Sequence, residues 1–354
     1  MAEVKKIVKS KNFIQLSGTL LETNLVVEEN VKAQAWSNKD GKMKDINCDI
    51  VKKKEFKNPS MLIECSPTDD DVNIIGTYQL GVDFNGIGFG VTSKQFDRET
   101  DKIIDNDNFK GILTVIDKYV TRKDAKEGEE ATKVFIKSAS LSPNEYADKE
   151  GNYKVYIPTI STYNVTSSGV PESDICEGNA TGIIRAIKDE MYNDEETGRL
   201  KIDFYMFDNK GETFPVEFTV EKDLADDFKD FYSAGVSCKV YFDVLTRQVG
   251  TTKVVANGGF GRRETHTTSG FTMTEYSIFK GEEPFEEEHE NFVGKAEMKK
   301  AMESRTITIE QKCKTAKDKA DKPKDTKKGG LGTKASKLSE TKVEEEDDNQ
   351  ELPF

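Results

Sequence analysis

Two stretches of the sequence place aromatic and basic side chains at alternating positions. One carries Lys201, Tyr205 and Phe207 between apolar residues, and the other carries Lys239 and Tyr241 in the same arrangement. Because alternate residues of a strand point to opposite faces, each set is expected on one outward face. Aromatic rings stack on nucleic-acid bases, and lysines follow a phosphate backbone. The spacing therefore predicts a surface suited to single-stranded nucleic acid.

Similar side chains occur elsewhere. Trp36 is expected on one strand face with Lys32, and Arg262 and Arg263 follow a Gly-Phe-Gly and are suited to clamping phosphates. The candidate residues for binding single-stranded DNA are Trp36, Lys52, Lys53, Lys54, Phe56, Lys201, Tyr205, Phe207, Lys239, Tyr241, Arg247, Lys253, Arg262 and Arg263. The alternative for each aromatic is packing in the core or under a covered edge. The alternative for the three consecutive lysines is that they guard an exposed strand.

The elements that position these side chains are clearest between Cys176 and Phe279. In order, we expect a strand over Thr181–Met191, a turn over Asp194–Arg199, strands over 200–207 and 214–220, a helix carrying Leu224, Phe228 and Phe231, a strand over 238–244 and a strand over Lys253–Ala256. Three strands, a helix and two strands is the order of the OB-fold, a small Greek-key barrel.

The region from about Asn12 to Val165 is also rich in strand patterns but less regular. A glycine followed closely by an apolar pair recurs at Gly18, Gly111 and Gly182, which hints at repetition of one barrel type. One enlarged OB-like domain is favoured here, with two small domains as the open alternative. The predicted fold class is all-β, with OB-fold-like Greek-key barrels in tandem, followed by a short helix and a disordered tail with an acidic tip.

The predicted organisation has five parts. They are an N-terminal β domain over 1–168, a C-terminal OB-fold domain over 175–280, a helix over 293–316, a disordered basic linker over 317–343 and an acidic, protein-binding tip over 344–354. The linker is predicted to be disordered because it has almost no apolar residues to bury.

Composition narrows the function classes. The net charge is -13, but the acid is concentrated near the end while other stretches are basic. No run of about 18 apolar residues exists for a membrane helix, and the N-terminus lacks a signal-peptide core, so we expect a cytoplasmic protein without a membrane partner. The five cysteines form no CxxC pair, and there are two histidines. With no GxxxxGK[ST], HExxH or GxSxG motif, we expect no enzyme, no metal and no cofactor.

The extreme C-terminus is the most specific motif. An acidic run leads to Leu352-Pro353-Phe354. The ring of Phe354 suits an apolar pocket, Pro353 limits the entropy lost on docking, and the terminal carboxylate suits an Arg or Lys partner. The predicted partner-binding residues are Asp347, Asp348, Glu351, Leu352, Pro353 and Phe354.

This tail resembles that of bacterial and phage single-stranded DNA-binding proteins, in which an OB-fold core precedes a linker and an acidic tip ending in Pro-Phe. Residues 259–288, with a Glu-Tyr-containing apolar strand followed by Gly-x-x-Pro-Phe and acid, resemble such proteins from phages of low-GC Gram-positive bacteria. The resemblance implies a protein that coats and protects single-stranded DNA in phage replication, recombination or repair. It also implies recruitment of replication or repair proteins through the tip, in the host cytoplasm.

Three questions stay open at this point. The first alternative function is a non-enzymatic, all-β structural or adaptor protein of a virion, whose acidic tail keeps it soluble. A preference for RNA over DNA is a second open point, because stacking accepts either sugar. Self-association is the third.

Overall fold

The structure, a computed structural model, describes residues 10–37, 39–69, 71–192, 195–208, 211–249, 252–255, 264–267 and 271–320. The strands are β1 (Asn12–Thr23), β2 (Leu25–Ser37), β3 (Lys42–Lys53), β4 (Met61–Cys65), β5 (Tyr78–Phe84), β6 (Val91–Thr92), β7 (Lys94–Phe96), β8 (Ile103–Asp105), β9 (Lys133–Ala147), β10 (Tyr153–Thr162), β11 (Cys176–Tyr192), β12 (Glu195–Phe207), β13 (Thr213–Val220), β14 (Ser237–Val249), β15 (Thr252–Val255), β16 (Glu264–Thr267) and β17 (Phe271–Gly281). The helices are α1 (Asp107–Lys118), α2 (Ala225–Phe231) and α3 (Lys295–Ala320), with 3-10 turns at Ile87–Phe89 and Lys222–Leu224.

The C-terminal half contains a closed barrel. Its strands follow one another in the order β12, β13, β17, β14 and β11, and β11 pairs back with β12. Only β13 and β17 run parallel, and α2 lies between the third and fourth strands along the chain. Phe218 fills the centre, with its ring centroid 5.3 Å from that of Phe204 and 5.0 Å from that of Phe242. This topology is the OB-fold, as the sequence predicts.

The N-terminal half repeats this barrel. Strands β1, β4, β5, β10 and β9 close in the same order, β5 and β10 form the parallel pair, and α1 again precedes the fourth strand. Two insertions enlarge it. The hairpin of β2 and β3 lies between the first two barrel strands, and β6, β7 and β8 lie between the third strand and α1. The region is therefore one enlarged barrel, and the predicted fold class of tandem OB-like barrels is confirmed.

The glycine repeat marks equivalent places in the two barrels. Gly18 lies in β1 and Gly182 in β11, the first strand of each barrel. A Cβ atom at Gly18 would lie 2.2 Å from the carbonyl oxygen of Glu64, and one at Gly182 would lie 2.3 Å from that of Tyr205. Each glycine therefore lets the second strand of its barrel approach closely. Gly111 lies in α1 and has no part in the repeat.

Two sequence predictions in the C-terminal half are wrong. The segment Lys253–Ala256 is not the last barrel strand, because β15 pairs with β16 in a separate two-stranded sheet and β17 closes the barrel. The turn expected over Asp194–Arg199 is mostly strand, because β12 begins at Glu195 and pairs with the end of β11. In the first case a separate hairpin precedes the strand that closes the barrel, and in the second the β11–β12 ladder continues through residues that resemble a turn.

The two barrels are joined by backbone pairing and by the C-terminal helix. Residues Asn12 to Leu16 of β1 pair with Cys176 to Ala180 of β11, so the barrels share a ten-stranded sheet. The helix α3, predicted over 293–316, is present and extends to Ala320. In the described residues, no helix is both long and apolar enough to cross a membrane.

Candidate nucleic-acid interface

The hairpin of β2 and β3, here called the β2–β3 arm, carries Trp36 near its tip. The indole is 53% exposed and lies opposite Met43 across the strand pair. Lys32 lies on the same exposed face. The reverse face buries Ala35 and Ile46 in a small cluster that also holds the arm against the ring of Phe96. Because its reverse face is packed, the arm presents Trp36 on a supported surface.

The three lysines at the end of β3 and just after it differ in their surroundings. The Lys52 ammonium lies 2.7 Å from Glu28, and the Lys53 ammonium lies 3.1 Å from Asp83 and 5.9 Å from the centre of the Phe56 ring. Lys54 is exposed, and within the described part of the chain it has no carboxylate partner. Phe56 itself is 73% exposed. The structure therefore brings Lys53 close to Phe56 and leaves Lys54 without an ion-pair partner among the described residues.

A second projection, the β9–β10 arm formed by the outer parts of β9 and β10, carries a pair of tyrosines that sequence reasoning missed. The rings of Tyr146 and Tyr156 are stacked, with centroids 5.7 Å apart and an angle of 13° between their planes. Both are about half exposed, and Lys154 lies on the same face directly opposite Tyr146. The alternation of Lys154 and Tyr156 along β10 is a signal that could have identified this face.

The opposite face of the β9–β10 arm contacts α3. Glu145 forms an ion pair with Arg305 at 3.0 Å and accepts a hydrogen bond from the hydroxyl of Tyr153. Burial and the hydrogen bond to Glu145 raise the pKa of Tyr153 above its usual range. The arm is thus held on one side, and its tyrosine pair remains open on the other.

In the C-terminal barrel, Lys201 and Tyr205 face outward from β12 as predicted, and Phe204 is buried. The Arg185 guanidinium lies 5.5 Å from the centre of the Tyr205 ring. Lys201 is paired with Glu217 at 3.2 Å. Tyr205 therefore has Arg185 as a cationic neighbour, whereas the alternation along β12 suggests Lys201.

The prediction of Phe207 as a stacking residue is corrected by the structure. Phe207 is only 3% exposed and packs with Ile183, Val293 and Ala301. It does lie on the outer side of the barrel, but the segment leading into α3 covers that side. A buried ring has no free face for a base.

Lys239 and Tyr241 form a compact group on β14. The Lys239 ammonium lies 4.6 Å from the centre of the Tyr241 ring and 2.8 Å from the carboxylate of Glu282. Tyr241 also donates a hydrogen bond to Glu282, and Lys280 lies 5.4 Å from its ring centre. The hydrogen bonds with Lys239 and Tyr241 lower the pKa of Glu282. The group holds two cations and one carboxylate around an aromatic ring.

The two tyrosines predicted to share a face are separated. Tyr205 pairs with Ile183 of β11 and Tyr241 pairs with Asn179, four residues away, which is about 13 Å along a strand. Between them, Ser237 exchanges hydrogen bonds with the backbone of Val293 at 3.2 and 3.3 Å. The chain preceding α3 therefore divides this surface into two parts.

The remaining candidates lie at or beyond the limits of the described residues. Arg247 is half exposed and lies 3.5 Å from Glu190 and 3.6 Å from Glu275. Lys253 lies in β15, where only the backbone is described. Outside the described residues are Arg262, Arg263, Asp347, Asp348, Glu351, Leu352, Pro353 and Phe354.

Comparison with known proteins gives one matching family and remote similarity to solved structures. A search of curated protein sequences finds no match. Among solved structures, an internal-deletion variant of the single-stranded DNA-binding protein from Thermus aquaticus is 10% identical with a TM-score of 0.42, covering 80% of this chain and 99% of that one. The wild-type form of that protein is 10% identical with a TM-score of 0.41, covering 81% and 98%. The sequence profile of the YorF family matches residues 12–315. Because that match spans both barrels and most of α3, this chain belongs to the YorF family.

Proposed function

We propose that this protein binds single-stranded DNA and acts on it by coating rather than by chemistry. The observation that carries the proposal is the position of the exposed aromatics on the N-terminal barrel. Trp36 lies in the connection between the first and second barrel strands, and the Tyr146–Tyr156 pair lies in the connection between the fourth and fifth. These two connections flank the oligonucleotide-binding face of an OB-fold.

The chemistry of both arms suits bases. Each exposed ring offers a flat face, and the two stacked tyrosines hold theirs nearly parallel, as successive bases in a strand are held. Lys32 and Lys154 lie on the same faces and suit phosphates. In the C-terminal barrel, Tyr205 with Arg185 and Tyr241 with Lys239 and Lys280 are candidates to extend the path.

The biological setting belongs to the same proposal. The tail motif and the loose pattern over residues 259–288 support a role in phage DNA replication, recombination or repair. In that role the tip at Leu352-Pro353-Phe354 would recruit replication or repair proteins, and its acid would compete with DNA for the cationic groups. Deleting residues 344–354 is then expected to raise affinity for single strands and to abolish partner capture. Unchanged DNA affinity would contradict the competition.

The experiment that tests DNA binding is fluorescence anisotropy of labelled oligo-dT, with a matched duplex and oligo-rU alongside, across a salt series. We expect tight binding to the single strand, with log affinity falling by about 0.7 per neutralised phosphate for each unit of log salt. Trp36→Ala and Tyr146→Ala should each weaken binding by about 5- to 150-fold, the range for loss of one stacked base.

The matched control is Phe231→Ala, which removes a half-exposed aromatic from α2, outside both arms. Its affinity should equal that of the unaltered protein. If the full-length and tail-deleted proteins both fail to bind oligo-dT at low salt, the proposal is wrong and the virion structural or adaptor function is favoured.

A further inference from the structure

Phe89 is the most exposed aromatic residue in the described part of the chain. Its side chain is 97% exposed, although burying such a ring would contribute about 1.5–3 kcal/mol to stability. The neighbouring Ile87 is only 4% exposed and is part of the main core. Ile87 therefore anchors this short turn in the core, while Phe89 extends from the same turn into solvent.

The turn that carries Phe89 has a defined backbone. The Phe89 amide donates to the Gly86 carbonyl at 3.1 Å, and the Gly90 amide donates to the Ile87 carbonyl at 3.0 Å. Gly86 and Gly90 have φ angles of 82° and 83°, a region that favours glycine. A Cβ atom at Gly90 would lie 2.5 Å from the side chain of Ile50, so the turn is seated directly on β3. Phe89 is therefore held outward by a built turn.

Two other exposed rings surround the same end of the N-terminal barrel. Tyr163 is 69% exposed, and the Thr162 carbonyl beside it accepts a hydrogen bond from the Asn85 amide at 2.8 Å. Phe56 lies near this end as well, because the Lys53 ammonium contacts both the Phe56 ring and Asp83, which is near the end of β5. We call Phe56, Phe89 and Tyr163 the distal aromatic cluster.

The charges around the distal aromatic cluster favour an anionic partner. A Cβ atom at Gly90 would lie 3.2 Å from the Cγ of Lys52, so the stem of Lys52 runs beside this turn. Lys54 and Lys57 lie on either side of Phe56 along the chain and are exposed, and neither has an ion-pair partner among the residues that the structure describes. The one carboxylate between them, Glu55, accepts a hydrogen bond from the Asn58 side-chain amide, and the net charge of residues 54–57 is positive. Separate rings interspersed with free ammonium groups differ from the continuous apolar patch of a protein interface.

We propose that the distal aromatic cluster is an additional stacking surface for single-stranded nucleic acid, on which Phe89 and Tyr163 contact bases while Lys54 and Lys57 contact phosphates. The inference rests on the proposed function and adds to it a surface at the carboxyl end of β5. This surface lies beside the base of the β2–β3 arm, because residues 54–60 follow that arm directly.

The test places a reporter at the proposed contact. Trp36 is the one tryptophan of the chain, so Trp36→Phe combined with Phe89→Trp gives a single indole at the cluster. We expect oligo-dT to quench its emission, because a stacked base quenches an indole, and matched duplex to leave it unchanged. The control combines Trp36→Phe with Ile74→Trp, which places an exposed indole in the connection between β4 and β5, at the opposite end of β5.

A second measurement is the affinity of Phe89→Ala for oligo-dT. We expect about a fivefold loss or more, the lower end for one stacked base, with an unchanged melting temperature because the ring packs on nothing. If the intact protein binds oligo-dT but Phe89→Ala binds equally well and the Phe89→Trp emission does not change, the inference is overturned and the proposed function stands. A change in oligomeric state alone would overturn it in favour of a protein partner. If the intact protein does not bind oligo-dT, both fail together.

Discussion

Arg199 is buried at one end of the C-terminal barrel among three glutamates. Its guanidinium lies 3.2 Å from Glu190 and 2.8 Å from Glu221, and it also pairs with the buried Glu275. Glu275 accepts a further hydrogen bond from Thr219 at 3.0 Å. Such a network ties the ends of β11, β12 and β17 together. Arg199 is its buried cation, and the half-exposed Arg247 lies at longer distances from Glu190 and Glu275.

We expect Arg199→Ala to lower the free energy of unfolding by about 3 kcal/mol, the lower end for a broken buried pair, because Glu275 and Glu190 would keep only the longer contacts with the half-exposed Arg247. The control is Lys201→Ala, whose partner Glu217 is half exposed and which should cost less than about 1 kcal/mol. Urea unfolding of both variants measures the difference. Equal losses for the two would contradict the role assigned to the buried network.

Asp101 gives the second prediction at this scale. It accepts hydrogen bonds from the Lys44 ammonium at 2.9 Å and the Ser37 hydroxyl at 2.8 Å, and these two contacts lower its pKa below the ordinary value of 3.8. A carboxyl with a lowered folded pKa stabilises the protein fully above the unfolded value and loses that contribution as the pH falls through the folded value. Asn suits the positive φ of 53° at this position, so Asp101→Asn removes the charge with little backbone change.

We therefore expect the unaltered protein to be more stable than Asp101→Asn at pH 7, with a difference that shrinks as the pH falls below 3.8. Chemical unfolding at a series of pH values measures it. A difference that stays constant down to pH 2 would show that the carboxylate charge is not involved.

The sequence predicts whether a residue is buried or exposed only where its neighbours in the structure are also close to it along the chain. The alternation in β12 correctly puts Phe204 inside and Tyr205 outside, because that choice depends on the strand alone. The prediction for Phe207 is wrong because Ala301, which covers its ring, lies 94 residues further along the chain. Phe89 was missed because a glycine-rich turn has no periodicity from which exposure can be read.

At the scale of elements, the apolar packing of α3 is confined to one narrow stripe. Met298 and Ala301 pack on Ile183 and Phe207, while most of its other side chains are exposed. A helix of this kind is stabilised mainly by its packing rather than by its own propensity. Arg305, one turn after Ala301, then pairs with Glu145 and fixes the middle of the helix to the β9–β10 arm.

We expect Ala301→Asp to release α3, because a carboxylate would be buried in an apolar cluster without a partner. Faster hydrogen exchange of the α3 amides and increased binding of an apolar dye to the uncovered Phe207 and Ile183 would report the release. Ala296→Asp is the matched control, since Ala296 is an exposed alanine of the same helix. Identical exchange in both variants would show that the stripe does not hold the helix.

Many of the strands and helices could be predicted from the sequence. Strand alternation and the helix between strands identified the C-terminal barrel, because each of its elements follows the last after a short turn. The N-terminal barrel was harder, since the β2–β3 arm separates its first strand from its second by 37 residues, 24–60. Local patterns cannot show that strands so far apart are neighbours.

For the whole molecule, the pairing of β1 with β11 makes the two barrels parts of one sheet. Five residue pairs join them, from Asn12 with Ala180 to Leu16 with Cys176. The amide of Thr181 also donates to the Lys11 carbonyl at 2.8 Å. Helix α3 adds a second connection on another side, so the barrels have little freedom to separate.

We expect both barrels to unfold in one cooperative transition. Emission of Trp36 reports the N-terminal half, and far-ultraviolet circular dichroism reports both, so coincident urea curves would support a single unit. Two resolved steps would indicate that the shared ladder is too weak to couple the barrels. The Ser17 amide donates to the Ile175 carbonyl, so Gln15, two residues earlier on β1, also directs its amide toward β11. Because Gln15→Pro would remove a donor from this ladder, it should convert one step into two or lower the first.

The shared ladder also has a consequence for synthesis on the ribosome. When Thr162 has been made, all five strands of the first barrel exist, but the edge of β1 that later receives β11 still has no partner. At bacterial and eukaryotic elongation rates, residues 163–180 take about one to four seconds more to appear. During that interval a nascent chain carries an open strand edge, and neighbouring chains on one messenger are exposed to each other through it. Polysome spacing is thus a condition to which the yield of this protein should be sensitive.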